Sequence, residues 1–394
     1  MRIIATAIWP THLMAMVPTA WALRAAGHQV VVAATRPVAD AAEGTGLPTR
    51  TIAMAELAAQ RPTTPGALGH RPAAGAGAWQ WSTEVLAERA KKRVAALLDD
   101  FLRFGRSWQP DLILSDPMEW NALIVAGALG VPVVHHRWGP DLFTQAAREA
   151  AADVLAPACR DVGLRGGLPE PDLVVDPCPP SLQSPHLPPA EPVRYIPYNG
   201  AGQLIALPPR RPGVRRVLVS LGMSIEAAHP VLLERIIQAV GTRPDVEAVV
   251  TVPPRLRSRF TDVPAGVRIV DPVPINLLLG DCDAVVHHGG SGTAQTSCAF
   301  GLPQLCVLPA DEGSPAFPAL AVCADRIAAT GAGRVIDAPH DPDAISAGLD
   351  DILGRPGYRA AAERLRAEID TLPPPAGLVA VLEKTRANGA NVCE

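Results

Sequence analysis

Residues 283–293, DAVVHHGGSGT, are the part of this sequence that says most about the fold. A short apolar run leads into glycines and then into a helix-compatible segment, the pattern of a buried strand that turns directly into a helix. Glycines let backbone approach a ligand closely, and the N–H groups at a helix start attract phosphate. The alternative is a tight structural turn with a helix cap. Neither a P-loop nor a dinucleotide-binding glycine pattern is met.

The same alternation of strand and helix extends in both directions along the chain. Apolar runs of strand length are separated by helical stretches that end at glycines such as Gly27 and Gly130. Repeated units of this kind predict an α/β fold, with parallel sheets covered by helices on both faces. The predicted strands lie near residues 2–8, 29–34, 111–115, 131–135, 217–221, 248–252, 267–270, 284–287 and 304–308.

The composition is that of an ordinary globular protein. Of 394 residues, 48% are hydrophobic and 19% charged, and the net charge is −4, which excludes a mainly disordered chain and disfavours nucleic acid as a partner. The seven cysteines are scattered without a C-x-x-C spacing, so neither a disulfide framework nor a zinc site is indicated. No apolar run reaches the length of about 18 residues that a membrane span needs. We therefore expect a soluble, cytoplasmic protein with no membrane partner.

Five segments spread along the chain resemble one family. They are THLMAMVP at 11–18, HRWG at 136–139, DPCPPSLQ at 176–183, PYNG at 197–200 and HHGGSGT at 287–293. Together they resemble the antibiotic and macrolide glycosyltransferases of glycosyltransferase family 1, over nearly the whole chain. The resemblance implies the GT-B architecture: two Rossmann-like domains whose parallel sheets face each other across a cleft, with a C-terminal helix that returns to the N-terminal domain.

The resemblance, together with a Pro- and Arg-rich stretch at 207–216, predicts three parts of the chain. Residues 1–207 are expected to form the acceptor-binding N-terminal domain, and residues 208–376 the nucleotide-sugar-binding C-terminal domain. Residues 377–394 are expected to form the helix that packs back on the N-terminal domain. Ligands of open α/β sheets bind beyond the carboxyl ends of the strands, so we expect the active site in the cleft between the two domains.

Two residues of the N-terminal half correspond to the family's catalytic pair. His12 lies where the family keeps its general base, and Asp116 where it keeps the partner carboxylate. A histidine suits proton removal from a hydroxyl because its ordinary pKa lies near neutral pH, and a carboxylate orients the ring and stabilises the imidazolium. The alternatives are structural: His12 in a first helical turn behind Thr11 as N-cap, and Asp116 as N-cap before Pro117.

The resemblance assigns donor binding to the C-terminal half. His288 and the helix start after it would hold the diphosphate, a turn at 220–222 would approach the phosphates, and Val273 would lie at the nucleotide base. The family usually has an acidic residue followed by glutamine for the sugar hydroxyls, whereas this chain has glutamate at the second position, which leaves the sugar identity open. The predicted donor residues are Ser220, Gly222, Val273, His288, Gly290, Ser291, Gly292, Thr293, Asp311 and Glu312.

Acceptor binding is predicted in the N-terminal half, which contains all seven tryptophans of the chain. Large rings concentrated in one half can line an apolar pocket, although about half of them are expected in the core. Trp79 and Trp81 border a Gly-rich loop and suit a binding lid. The predicted acceptor residues are Trp9, Trp79, Trp81 and Trp138.

The function implied is that of an inverting, metal-independent glycosyltransferase. It would move a deoxyhexose, with rhamnose favoured, from a dTDP-sugar to a hydroxyl of a polyketide-type aglycone, and these two small molecules would be its partners. No cofactor or metal is expected, and a homodimer is left open. The alternatives are a nucleotide-sugar epimerase of the same architecture and a catalytically silent homologue that assists a partner; the presence of both His12 and Asp116 argues against the latter.

Overall fold

The computed structural model describes residues 1–52, 69–70, 80–141, 143–222, 229–309, 317–336 and 341–390. The chain divides into two compact units. Unit 1 comprises Met1–Cys178, Ser184–Arg194 and Leu372–Glu394, and unit 2 comprises Pro179–Gln183 and Tyr195–Thr371. The chain enters unit 2 briefly at Pro179–Gln183 and then again at Tyr195, so residues 195–207 already belong to that unit.

Unit 1 is built on a sheet of seven strands in the order β3-β2-β1-β6-β7-β8-β9, and neighbouring strands are parallel throughout. Its central strands are buried on both faces, which is why the sequence shows them as continuous apolar runs. A separate antiparallel pair, β4 with β5, precedes the longest helix. The strands are β1 (Arg2–Thr6), β2 (Gln29–Ala34), β3 (Thr49–Thr51), β4 (Gly69–His70), β5 (Gln80–Trp81), β6 (Leu112–Ser115), β7 (Val133–His136), β8 (Leu173–Asp176) and β9 (Glu191–Pro192).

Local sequence signals fix the ends of the helices in unit 1. Proline occupies the first position of the first helix, where its missing N–H costs nothing. The side chain of Ser82 caps the long third helix by accepting the Val85 N–H, and Gly130 ends the fourth in the left-handed conformation, with φ 66°. The helices are α1 (Pro10–Ala25), α2 (Arg36–Glu43), α3 (Thr83–Trp108), α4 (Trp120–Leu129) and α5 (Thr144–Asp161).

Unit 2 is built on a second parallel sheet, of six strands in the order β12-β11-β10-β13-β14-β15. Its strands are β10 (Arg215–Ser220), β11 (Val246–Thr251), β12 (Val267–Val270), β13 (Ala284–His287), β14 (Gln304–Val307) and β15 (Gly333–Ile336). The described helices are α6 (Pro230–Gly241), α7 (Ser291–Ala299), α8 (Phe317–Ala329), α9 (Pro342–Gly354) and α10 (Pro356–Thr371), with short 3₁₀ turns at Pro254–Arg259, Ile275–Leu277 and Leu279–Asp281.

The last helix, α11 (Pro375–Ala390), belongs to unit 1 and packs against α1. Leu378 and Leu382 are buried, and the Glu383 carboxylate lies 3.1 Å from Nε2 of His28. The expected return of the C-terminal helix to the N-terminal Rossmann-like fold is therefore confirmed. Among the residues that the structure describes, no helix is both long and apolar enough to cross a membrane.

Strand order predicts where ligands bind. In unit 1 the order reverses between β1 and β6, and in unit 2 it reverses between β10 and β13. Crevices at the carboxyl ends of such neighbouring strands are the usual ligand sites of open α/β sheets. The residues that follow β1 and β6, and those that follow β10 and β13, are therefore the expected ligand contacts of the two sheets.

Candidate active site

His12 and Asp116 meet at the reversal point of the first sheet. His12 lies in the first turn of α1, after β1, and Asp116 directly follows β6. Because β1 and β6 are neighbours in the sheet, the two side chains come together although they are far apart in sequence. The distance between His12 Nδ1 and Asp116 Oδ2 is 2.5 Å. The carboxylate is fully buried, whereas 15% of the His12 side chain is exposed.

Asp116 is held as a carboxylate by its hydrogen bonds. Oδ2 also accepts the Ile8 N–H at 3.2 Å, and Oδ1 accepts the Met118 N–H at 2.8 Å. Burial alone would raise the pKa of Asp116, but the His12 ring and the two backbone N–H groups outweigh burial and lower it. An ionised Asp116 accepts the Nδ1 proton of His12 and so leaves Nε2 as the basic ring nitrogen.

The structural alternatives for this pair do not hold. The N-cap of α1 is Trp9, not Thr11, and no side chain caps that helix. No helix begins at Pro117, since α4 starts only at Trp120. The Asp116 carboxylate does accept a backbone N–H two residues on, but this bond belongs to the turn that leaves β6. The direct contact with His12 is the feature that a capping role would not require.

An indole ring covers one face of His12. Trp138, just after β7, stacks on the imidazole with ring centroids 3.8 Å apart and planes inclined by 9°. Phe143 packs against Trp138 at 6.2 Å in a tilted arrangement. The sequence predicted Trp138 as an acceptor residue and did not predict its contact with the base, because spacing alone cannot show which rings meet.

The other predicted acceptor residues are distributed differently. Trp9 is 48% exposed and is the N-cap residue of α1, the helix whose first turn contains His12. Trp79 and the side chain of Trp81 lie outside the described residues. Trp120, which is not among the predicted acceptor residues, is a core residue and only 3% exposed, as expected for about half of the seven tryptophans.

Buried polar side chains fix the end of β7 next to this site. His136 donates from Nδ1 to the Arg137 carbonyl at 2.8 Å, and its Nε2 lies 3.2 Å from the Thr19 hydroxyl on α1. Arg137 donates to Asp176 at 2.8 Å. Burial lowers the pKa of His136 to about 4, so the ring is neutral at physiological pH. The contact between His136 and Thr19 joins the end of β7, two residues before Trp138, to α1, which carries His12.

Glycines shape the turn between β13 and α7 in unit 2. Gly289 adopts φ +89°, and a Cβ there would lie 2.6 Å from the Leu320 carbonyl oxygen. A Cβ at Gly290 would lie 2.6 Å from His288 Nε2. Gly289 therefore requires glycine, whereas a side chain at Gly290 would displace the His288 ring.

The two histidines of this turn differ in their contacts. His287 Nε2 lies 2.9 Å from Gln304 Oε1, and His287 Nδ1 accepts the Gly289 N–H. His287 thereby stabilises the backbone of the turn. Among described residues, His288 Nδ1 has no hydrogen-bond partner. Burial and the neighbouring His287 lower the pKa of His288 to about 3, against an opposing hydrogen bond with the Ser220 backbone. His288 is thus a neutral ring, 8% exposed, at the start of the turn.

The helix start after this turn is open to an anion. Gly290 is the N-cap of α7, and no side chain caps the helix. The first N–H groups of a helix have no intrahelical acceptor, and the helix dipole is positive there. The predicted donor residues Ser220 and Gly222 belong to the same region: Ser220 pairs with His287 across the sheet, and a Cβ at Gly222 would lie 3.0 Å from His288 Cε1.

Two residues that sequence reasoning missed support α7. Tyr195 contacts the Gly292 carbonyl and the Thr296 hydroxyl at 3.2 and 3.1 Å, and Asn199 donates to that hydroxyl at 3.1 Å. Burial raises the pKa of Tyr195 to about 12, so it stays a neutral donor. The PYNG segment at 197–200 marked this region, but without the fold it did not indicate a contact with α7.

Three predicted donor residues are not among those found around the turn before α7. Val273 is half-buried and packs against the cluster that contains Leu278 and Val285. Asp311 and Glu312 lie outside the described residues. Within the part of the chain that the structure describes, no group of three or more His, Cys, Asp or Glu side chains could hold a metal ion.

Known proteins match the chain over nearly its full length. Residues 21–222 match the N-terminal domain and residues 234–385 the C-terminal domain of the family described as erythromycin biosynthesis protein CIII-like. The L-demethylnoviosyl transferase of Streptomyces niveus is 35% identical over 381 residues, which cover 93% of each chain. The tylactone mycaminosyltransferase of Streptomyces fradiae is 34% identical over 428 residues, which cover 98% of this chain and 93% of that one.

A solved structure also superposes closely. The spinosyn rhamnosyltransferase SpnG matches with a TM-score of 0.84 at 36% identity, covering 97% of this chain and 100% of SpnG. SpnG has been solved complexed with thymidine diphosphate and with spinosyn aglycone. The two parallel sheets, the family match and these relatives agree with one another. The chain belongs to the erythromycin biosynthesis protein CIII-like family and is a glycosyltransferase with the GT-B fold.

Proposed function

We propose that this glycosyltransferase moves a deoxyhexose from a dTDP-sugar to a hydroxyl group of a polyketide-type aglycone, with inversion at the anomeric carbon. The observation that carries the proposal is the short contact between His12 and the buried carboxylate of Asp116, which leaves one basic ring nitrogen beside the partly exposed surface of unit 1. A base of this kind removes the proton from an attacking hydroxyl.

The donor assignment is supported by the start of α7. Diphosphate carries the negative charge that uncapped helix N–H groups and a positive dipole end attract. His288 adds a neutral ring beside this helix start, and one of its ring nitrogens is proposed to donate to a phosphate oxygen. Ser291 and Thr293 contribute hydroxyls in the first turn. SpnG and a second similar structure, the glycosyltransferase VinC, were solved with thymidine diphosphates, which favours thymidine as the nucleoside.

Inversion is supported by the bonding of Asp116. A retaining reaction through a covalent intermediate needs a nucleophile that can reach the sugar, as a free carboxylate does in retaining glycosidases. Asp116 is fully buried, and its oxygens already accept from His12, Ile8 and Met118. Asp116 can orient the base but it cannot attack the sugar. We therefore propose a single displacement by the acceptor hydroxyl, with the leaving diphosphate stabilised at α7.

Rhamnose is the favoured sugar because SpnG is a rhamnosyltransferase that aligns over nearly the whole chain. Other relatives are named for amino- and methyl-substituted sugars, such as the desosaminyltransferase of Streptomyces venezuelae. Of the two residues assigned to the sugar hydroxyls, Asp311 keeps the family's usual acidic residue, and Glu312 replaces its usual glutamine. Trp9, beside α1, is proposed to contact the aglycone.

A donor and acceptor screen tests the proposal. The purified protein is incubated with dTDP-rhamnose, two dTDP-aminosugars and UDP-glucose against a panel of polyketide aglycones, and glycoside and free dTDP are measured by mass spectrometry. We expect glycoside and dTDP in equal amounts, and NMR coupling constants that show inversion at the anomeric carbon. Conversion of the donor without an acceptor would instead indicate an epimerase. A retained anomeric configuration would refute the single displacement.

A further inference from the structure

The stacked contact between Trp138 and His12 differs from an ordinary core contact. The two rings are nearly parallel, at 9°, with centroids only 3.8 Å apart, so the indole covers one full face of the imidazole. His12 is also bonded at Nδ1 to Asp116. One hydrogen bond fixes one atom of the ring, whereas a flat surface in contact fixes the ring plane. The two restraints together leave a single orientation for Nε2.

We propose that Trp138 is a positioning residue for the transfer reaction, which acts through His12 by fixing the imidazole plane and stabilising the imidazolium that forms in the transition state. This inference rests on the proposed function, in which His12 is the base. It replaces acceptor binding as the main role of Trp138.

The electrostatic part follows from the chemistry of the indole. The face of an aromatic ring carries negative charge density, and tryptophan attracts cations over its face more strongly than phenylalanine or tyrosine. His12 becomes a cation only while it takes the proton from the acceptor. An interaction that strengthens only in the transition state raises kcat and leaves substrate affinity unchanged.

The residues around Trp138 hold its indole ring in one position. Phe143 packs against the side of the indole, with centroids 6.2 Å apart and an angle of 59°. The residues before Trp138 are buried, and His136 reaches Thr19 on α1 at 3.2 Å. The strand end that carries the indole is thereby joined to the helix that carries the imidazole. A side chain that must adapt to different aglycones would not need this support.

Two substitutions separate the positioning role from acceptor binding. Trp138→Leu removes the aromatic face, and Trp138→Phe keeps a smaller one. We expect Trp138→Leu to lower kcat by about 3- to 30-fold, the range for loss of a cation contact with an indole face, and Trp138→Phe to recover part of the loss. The Kd of the acceptor, measured by calorimetry, should stay within about 2-fold of wild type for both. Trp21→Leu, on α1 but 40% exposed, is the matched control and should leave kcat unchanged.

A double substitution tests whether Trp138 acts through His12. In a His12→Ala background, Trp138→Leu should lower kcat no further, because the ring that it positions is gone. An NMR spectrum gives an activity-independent check: the Cε1 proton of His12 should lie upfield in wild type, from the indole ring current, and move downfield in Trp138→Leu.

The outcomes distinguish this inference from the proposed function. If wild type transfers no sugar, or if His12→Ala keeps full turnover, the proposed function fails. If wild type is active and depends on His12, but Trp138→Leu has normal kcat, the positioning role is wrong. If Trp138→Leu instead weakens acceptor binding with kcat retained, Trp138 is an acceptor contact. A further loss in the His12→Ala background would also overturn the inference.

Discussion

The substitution Asp116→Asn preserves the size of a fully buried side chain and changes one hydrogen-bonding atom. The carboxylate accepts from His12 and Ile8 at Oδ2, at 2.5 and 3.2 Å, and from Met118 at Oδ1, at 2.8 Å. An asparagine amide must place its NH₂ group at one of these positions. If NH₂ takes the Oδ2 position it faces the Ile8 N–H, and His12 must accept at Nδ1 and carry its proton on Nε2. If NH₂ takes the Oδ1 position it faces the Met118 N–H.

Either orientation buries a donor against a donor, which costs about 1–3 kcal/mol of folding free energy. The first orientation also abolishes the base, and the second replaces a charge by a weaker dipole beside the imidazolium. We therefore expect kcat to fall by about 10²- to 10⁴-fold, the range for general-base catalysis and for a wrong histidine tautomer. Steady-state dTDP release gives kcat, and urea unfolding gives the stability.

A matched control is Asp111→Asn, just before the other end of β6. Asp111 accepts the Arg2 N–H at 2.7 Å and pairs with Arg386, so its replacement should also cost stability. It lies away from His12, and kcat should stay close to wild type. A folded Asp116→Asn protein with kcat within about 3-fold of wild type would refute the role that we derive for the carboxylate.

Three further predictions concern the donor site and acid stability. His288→Ala should weaken dTDP binding by about 10- to 100-fold in calorimetry, because a hydrogen bond to a charged phosphate is lost; unchanged affinity would refute the contact. Turnover should survive exhaustive EDTA treatment, since a helix end is proposed to hold the diphosphate, and a strict Mg²⁺ requirement would contradict this. Burial lowers the pKa of His135 and His288 to about 3 and of His136 and His287 to about 4, from 6.5. Between pH 6.5 and 4, these four rings therefore take up protons in the unfolded chain but not in the folded chain. The free energy of unfolding, measured with urea, should fall on acidification by up to about 1.4 kcal/mol per pH unit for each ring. A free energy of unfolding that does not change over this pH range would contradict the burial of the rings.

The fold was predictable because buried parallel strands leave continuous apolar runs in the sequence. The strands Gln29–Ala34, Val267–Val270 and Ala284–His287 have the bounds that the pattern predicts. Strands near the sheet margins were missed by the sequence prediction. Gly333–Ile336 begins with glycine and arginine, and Leu173–Asp176 has only three consecutive apolar residues, so neither shows an apolar run of the usual strand length.

The site was predictable only in part. The hydrophobic periodicity locates His12 near the start of a helix and Asp116 near the end of a strand. The two residues are 104 positions apart and meet only because their strands are neighbours in the sheet, which periodicity does not show. The family resemblance was what predicted that they form a pair. The glycine turn at 287–293 was evident locally, because glycine is required at close approaches. The stack of Trp138 on His12, and the bonds from Tyr195 to α7, depend on tertiary packing that carries no local signature.

The most direct test of the account is the effect of His12→Ala on catalysis and on donor binding, measured on the same preparation. If the imidazole is the base, it acts only when an acceptor hydroxyl is presented, so the donor site should not depend on it. We predict that kcat falls by about 10²-fold or more while the Kd of dTDP stays within about 2-fold of wild type. Adding Asp116→Asn should cause little further loss, because the carboxylate works through the ring that it orients. Near-normal transfer by His12→Ala, with a good acceptor, would contradict the account.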